Sequence, residues 1–343
     1  MPTVNWHEVR KYPCASIKIV AVSFIRVVYV VASRILNPFS SRVLSLRNAI
    51  AREILGTAFV YSPTIFYSAP RKTSIPKVDG PGWSAYLVPN VSSGDIAQQD
   101  AVVLFAHGGG MIAGHPLQYR DEYKRWSQRA AKDGQKVLFF AVKYPLSTES
   151  RWPTQRDAVI GAYEWLLSQK VPATKIIFAG DSAGGNLILL TLLYLRDQQR
   201  KTPLPVSVVL MSPWVDMSAA QTLNSPLKQF DFMLEYDAGA PIMNSMLRPE
   251  NTSPSTADIS AILHQDLTRL PPQLVMYSAT EVLSSDSERW ITRSRAAGND
   301  VEVFAPKGEL HTFSCGWPMT GRKMQDRCDE LFLSYILNSI RSR

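Results

Sequence analysis

The sequence predicts an α/β fold, with a mostly parallel central sheet, helices on both faces and a helical cap. Three observations carry this. From about residue 83 onward, short runs rich in Val, Ile and Phe alternate with longer helical patterns. The runs are apolar throughout instead of alternating with polar residues, which is the pattern of strands covered on both faces. A late stretch at about 219–263, rich in Ser, Pro, Asn and Met, breaks the rhythm. An insertion there forms loops and short helices above the strand ends, where α/β folds bind ligands.

In chain order, residues 1–60 read as an N-terminal helical cap segment and residues 61–343 as the main domain with its cap insertion. Strands are expected at Ala101–Ala106, Val137–Val142, Ile176–Ala179, Val206–Met211, Gln273–Tyr277 and Val301–Ala305. Helices are expected between and after them, at Tyr119–Lys132, Thr154–Gln169, Gly184–Gln199, Asp286–Ala297 and Met324–Arg341. Within the cap segment, Val43–Leu55 is amphipathic and Ile17–Leu36 is strongly apolar. The uncharged part of Ile17–Leu36 is broken by Arg26 and falls short of the ~18 residues a spanning helix needs. It ends in Arg34 and Asn37-Pro38, not in the small residues of a cleavage site. Two placements fit it. It packs over the domain as part of the cap, the favoured reading, or it lies in a membrane interface as a basic amphipathic helix.

Hydrophobic residues at 45% and charged residues at 19% support a large core and exclude global disorder. The net charge is +8, with the basic residues scattered, no run of five and no nucleic-acid motif, so no nucleic-acid partner is expected. Cys14, Cys315 and Cys328 have no metal-ligand spacing and are odd in number, so they are expected as reduced thiols of a cytoplasmic protein.

The chemistry concentrates in four places. Ile176–Ala179 runs directly into Gly180-Asp181-Ser182-Ala183-Gly184-Gly185-Asn186 and then an apolar helix. A serine on such a strand-to-helix turn is lifted above the sheet, and small residues two positions either side let strand and helix approach. The strand Ala101–Ala106 ends in His107-Gly108-Gly109-Gly110. Three glycines after a buried strand suit a loop whose amides approach a developing oxyanion, with Ala183 donating from beside the serine. His107 is expected to anchor this loop, and His115 to sit on a loop or rim. A serine hydroxyl needs a base, and only His264 and His311 follow Ser182. His311 lies on a loop after the last strand, the right place, whereas His264 falls in the tail of the insertion. A carboxylate must orient that histidine. Glu281 and Asp286 both follow the strand at Gln273–Tyr277; Glu281 is preferred because Asp286 also reads as the cap of the next helix.

Together these motifs resemble the hormone-sensitive-lipase-like branch of the α/β-hydrolases, the group of arylacetamide deacetylase. The resemblance rests on HGGG at His107–Gly110, Tyr144-Pro145-Leu146, Trp152-Pro153 with Asp157, GDSAGGN at Gly180–Asn186, SPWVD at Ser212–Asp216, EVL at Glu281–Leu283 and HTF at His311–Phe313. It covers about residues 80–340. The branch usually carries Asp in a D-x-L pattern, with Gly three residues earlier; this chain has Glu281 and Ser278. The resemblance implies an α/β-hydrolase fold and a serine carboxylester hydrolase working through an acyl-enzyme on small or medium hydrophobic esters. It also implies the flavour of esterases and deacetylases of fungal secondary metabolism. The implied site is Ser182, His311 and Glu281, with Gly108, Gly109, Gly110 and Ala183 as oxyanion donors and His107 and Asp181 structural beside it. No metal or organic cofactor is implied. An acyltransferase using the same acyl-enzyme, or a binder that has lost the chemistry, are the alternatives.

Overall fold

The computed structural model describes residues 6–40, 42–61, 73–198, 202–233 and 235–341. Three helices open the chain: α1 (Trp6–Lys11), α2 (Pro13–Leu36) and α3 (Leu46–Tyr61). The main domain then runs through β1 (Lys77–Gly80), β2 (Trp83–Val88), β3 (Ala101–Ala106), α4 (Arg120–Lys132), β4 (Val137–Lys143), α5 (Thr154–Ser168), β5 (Ile176–Asp181), α6 (Ser182–Asp197) and β6 (Ser207–Met211). After the insertion, which holds α7 (Tyr236–Leu247), come β7 (Gln273–Met276), α8 (Ser284–Ala296), β8 (Val301–Phe304) and α9 (Arg322–Arg341).

The strands form one eight-stranded sheet in the order β1-β2-β4-β3-β5-β6-β7-β8. β1 and β2 pair antiparallel, as do β2 and β4, and every other pair is parallel. The six strands expected from the sequence are present with ends shifted by at most two residues. The β1–β2 hairpin was not expected. β1 reads Lys-Val-Asp-Gly and is too short and polar to announce itself, and only the Pro81-Gly82 turn, with Gly82 at φ +74°, marks it. α8 begins at Ser284 after Leu283, so Asp286 lies inside the first turn and is not its cap.

Both faces of the sheet are covered, which accounts for the unbroken apolar strand signal. In β3, Val102, Leu104 and Ala106 join the cluster under α5, α6 and α8, while Ala101, Val103 and Phe105 join the one under α4 and α9. The register aligns the carboxyl ends: Ala106 pairs with Gly180, Asp181 with Met211, Met211 with Met276, and Met276 with Phe304. Loops leaving those ends therefore share one rim of the sheet.

The insertion is more regular than expected. α7 is a twelve-residue helix with Pro241 inside it, and Pro241 and Gly239 hide its period. Asn186 holds the tail of the insertion to α6, donating from Nδ2 to Ile259 O (2.7 Å) and accepting from Ala261 N (3.0 Å).

In the N-terminal segment α2 lies on α3, with Ile19 against Ala58. Leu44 and Ala49 pack on Leu310, one residue before His311. Thus α3 reaches the site, while α2 stays on the outside of α3. α2 is 24 residues long with a mean hydropathy of 2.1 in its most apolar window, long and apolar enough to cross a membrane by length and composition, and only 11% of that window is buried. The basic excess is not scattered as expected. Residues 9–52 contain eight Lys and Arg and no Asp or Glu, and the rest of the chain balances at 29 of each, so the whole +8 belongs to this segment.

Candidate active site

Ser182 sits at the junction of β5 and α6 with φ +50°, a left-handed conformation that costs a side-chain-bearing residue about 1–3 kcal/mol. The sharp turn is possible because its neighbours are small. A Cβ on Gly184 would lie 2.2 Å from Ala106 O, and one on Gly180 would lie 2.6 Å from Gly184 O. Among the described residues the Ser182 hydroxyl makes no hydrogen bond; it faces a cavity that His311 also lines. Catalytic hydrogen bonds are often long or absent before substrate binds. The start of α6 beneath the serine favours negative charge there.

The glycine loop is tied to this elbow by Asp181. Its Oδ1 accepts from Gly108 N (2.8 Å) and its Oδ2 from Tyr119 OH (2.7 Å). Burial pushes its carboxyl up to about 6, against the pull of those two donors. The Gly108 amide, one of the expected oxyanion donors, is thus bonded to Asp181, and Gly109 and Gly110 are the loop glycines that line the cavity. Both have positive φ, +114° and +63°. His107 is buried, stacks on Tyr144 at 4.5 Å and bonds Gly108 O through Nδ1 (2.8 Å). Burial lowers its pKa to about 4, and it does not line the cavity that Ser182 faces. His115 accepts from Leu117 N (3.1 Å) and caps a short helical turn; His264 does not line the cavity.

His311 faces Glu281, with Nδ1 3.6 Å from Glu281 Oε1. That is long for a hydrogen bond. Among the described residues neither atom has a hydrogen-bond partner. The other carboxylate oxygen, Oε2, accepts from Ser212 Oγ (2.8 Å) and more weakly from Ser278 N (3.4 Å), and Ser212 Oγ in turn accepts from Thr312 N (3.0 Å). Burial disfavours the imidazolium, but the facing Glu281 carboxylate, with Asp231 and Asp181, more than offsets it and holds His311 above its usual value. Burial also pushes the Glu281 carboxyl up, against the pull of His311 and Ser212. Asp286 is elsewhere. It accepts from Asp216 N (3.0 Å) and approaches Arg289 at 3.8 Å, and burial raises it to about 7.

Two contributors escaped the sequence. Ser212, at φ +49°, joins the histidine loop to the carboxylate; it was visible only as the first residue of SPWVD. Asp231, fully buried in the insertion, accepts from Val282 N (2.9 Å) and adds negative charge beside Glu281 and His311. A lone Asp in a loop carries no signal for this. The cavity is walled by Phe59 of α3, by Phe232, Tyr236 and Met243 of the insertion, and by Trp214 and Leu283. Met243 presses on the glycine loop, since a Cβ on Gly110 would lie 2.3 Å from its sulfur. Among the described residues no group of three or more His, Cys, Asp or Glu could hold a metal ion.

Known proteins resemble this chain in sequence and in fold. An acetyl-hydrolase of Streptomyces hygroscopicus is 30% identical over 206 residues, 60% of this chain and 66% of that protein. An esterase of Acinetobacter venetianus is 30% identical over 207 residues, 60% of this chain and 65% of that protein. The match thus spans just under two thirds of these relatives' length. Among solved structures, a hormone-sensitive-lipase homologue, EstE7, from a metagenome library superposes with a TM-score of 0.68 at 24% identity, covering 86% of this chain and 96% of that one. An esterase of the bacterial hormone-sensitive lipase family gives 0.65 at 23%, covering 93% and 98%. That likeness is one of fold, and its branch is the one the motifs resemble. A model of the alpha/beta hydrolase fold matches residues 103–315. That span runs from the strand bearing the glycine loop to just past His311 and takes in more than half of the sequence, so this chain belongs to the alpha/beta hydrolase fold family.

Proposed function

We propose that this protein is a serine carboxylester hydrolase that cleaves small or medium hydrophobic esters, acetyl esters among them, through an acyl-enzyme. One observation carries the reading: a strained, cavity-facing Ser182 shares a mostly apolar cavity with His311, whose far nitrogen faces a buried carboxylate. The relatives named acetyl-hydrolase and esterase agree with it.

In the first step Ser182 Oγ bonds to the ester carbonyl carbon while its proton passes to His311 Nε2. Glu281 keeps the remaining ring proton on Nδ1 and stabilises the imidazolium. The carbonyl oxygen becomes an oxyanion beside the amides of Gly109, Gly110 and Ala183. When the tetrahedral centre collapses, the bond to the alcohol oxygen breaks and the alcohol leaves with the His311 proton. Water then attacks the acyl-serine, giving its proton to His311; the acid is released and Ser182 recovers its hydrogen. The aromatic and Met side chains around the cavity exclude water from the acyl group and favour an apolar substrate.

Replacing Ser182 by Ala tests this. Turnover of p-nitrophenyl acetate by the wild type, abolished in Ser182→Ala, is the expected result, and turnover retained in the variant would overturn the reading.

A further inference from the structure

α2 turns its most continuous apolar face outward. The side toward α3 is mixed: Ile19 packs on Ala58, Ser23 is buried, Arg26 approaches Glu53 at 3.8 Å, and Arg34 Nη2 donates to Leu44 O (2.7 Å). The opposite side, read at the helical period, carries Ile17, Val20, Phe24, Tyr29, Ile35 and Leu36, each between 67% and 77% exposed. A helix packed on a soluble domain turns its apolar stripe inward, because burying that stripe is what holds it there. Here the apolar stripe faces away from the protein. A run of large apolar side chains left this exposed marks a surface that something covers.

Charge identifies what covers it. The acid-free stretch 9–52 holds all of the chain's excess positive charge, and Arg10, Lys11 and Lys18 at one end and Arg42 at the other flank the apolar face. A second copy of this chain seated on that face would bring two such positive segments together, which like-charge repulsion opposes. An anionic bilayer satisfies both properties, since its acyl boundary takes the apolar face and its headgroups take the flanking cations. The seat is flat and not spanning, because Ile19 and Ser23 are buried on one side of α2 against the protein and Arg26, near its middle, approaches Glu53 of α3. We propose that α2 is a membrane-interface helix, lying in the headgroup region of an anionic lipid surface with its exposed apolar face in the bilayer and its opposite, mixed face on α3. The same arrangement sets α3, whose Phe59 walls the cavity, one helix away from the lipid.

The test needs no enzymatic readout. The full chain is sedimented with vesicles of phosphatidylcholine, alone or with about one third phosphatidylglycerol. The expected result is binding to the mixed vesicles that weakens by about tenfold or more without the anionic lipid, falls with added salt, and is reversed by alkaline carbonate. Val20→Asp/Phe24→Asp/Val28→Asp, all exposed positions, is expected to lose binding with an unchanged melting temperature. Arg10→Glu/Lys18→Glu tests the charge without touching the apolar face and is expected to lose the preference for phosphatidylglycerol. Three results would overturn the proposal: no binding to either vesicle, carbonate-resistant retention as of a spanning helix, or a wild-type dimer in light scattering that the triple substitution dissolves. Failure here leaves the esterase reading standing, and failure of the Ser182→Ala experiment leaves this one.

Discussion

Glu281→Gln is the most informative single change, because the hydrogen bonds around it dictate which way the new amide must point. Thr312 N donates to Ser212 Oγ, so the Ser212 hydroxyl directs its own proton at Glu281, and Ser278 N points at the same oxygen. That side of the glutamine must therefore be its carbonyl. The amide NH₂ is left facing His311 Nδ1 across the 3.6 Å gap. Two donors cannot meet there, so the neutral ring moves its proton to Nε2, the nitrogen that has to receive the Ser182 proton. A triad held in the wrong tautomer loses on the order of 10⁴ in kcat, about 5.5 kcal/mol at 1.36 kcal/mol per decade. The glutamine is isosteric and keeps its buried bonds, so KM and the melting temperature change little. The assay is p-nitrophenyl acetate hydrolysis across pH, with the wild type showing an acid limb above the usual histidine range because Glu281 holds His311 up. Activity of the variant within tenfold of wild type at every pH would refute the assignment of Glu281.

Asp286→Asn separates the second acidic candidate from the first: kcat/KM is expected to stay within a few-fold of wild type. Because burial raises the Asp286 carboxyl from 3.8 to about 7, its folded form holds the proton more tightly than the unfolded chain does. The stability it contributes is full below pH 3.8 and is lost as pH rises through 7, so the melting temperature of the variant relative to wild type should rise over that interval; a flat difference would contradict this. Asp231→Asn is expected to move the acid limb of kcat/KM to lower pH by removing negative charge beside His311, with an unmoved limb showing that Asp231 only ties the insertion to Val282. Gly108→Ala would set a methyl 2.3 Å from Asp181 Oδ2 and 3.0 Å from Ser182 Cβ. The expected cost is about 1–3 kcal/mol in denaturant unfolding and on the order of 100-fold in kcat, and wild-type values for both would contradict the account of the loop.

What the residues alone determined is local and covalently close. The unbroken Val, Ile and Phe runs announced buried parallel strands because each strand is covered on both faces. The glycines around Ser182 and after His107 announced tight backbone approaches because no other residue fits there. The position of His311 followed from the order of elements. Only the tertiary structure gave Glu281 and Asp286, five residues apart, different surroundings, because facing the ring of His311 or facing the Asp216 amide is a matter of direction. It alone committed the Gly108 amide to Asp181, since that bond joins residues 73 apart in the chain. The cap was legible as an interruption of pattern, but its walls were not, because Phe59, Phe232 and Met243 come from separate segments whose side chains meet only after folding. The outward apolar face of α2 belongs with these. Its composition is the same whichever side points outward, and only packing against α3 determines which residues water or lipid will meet.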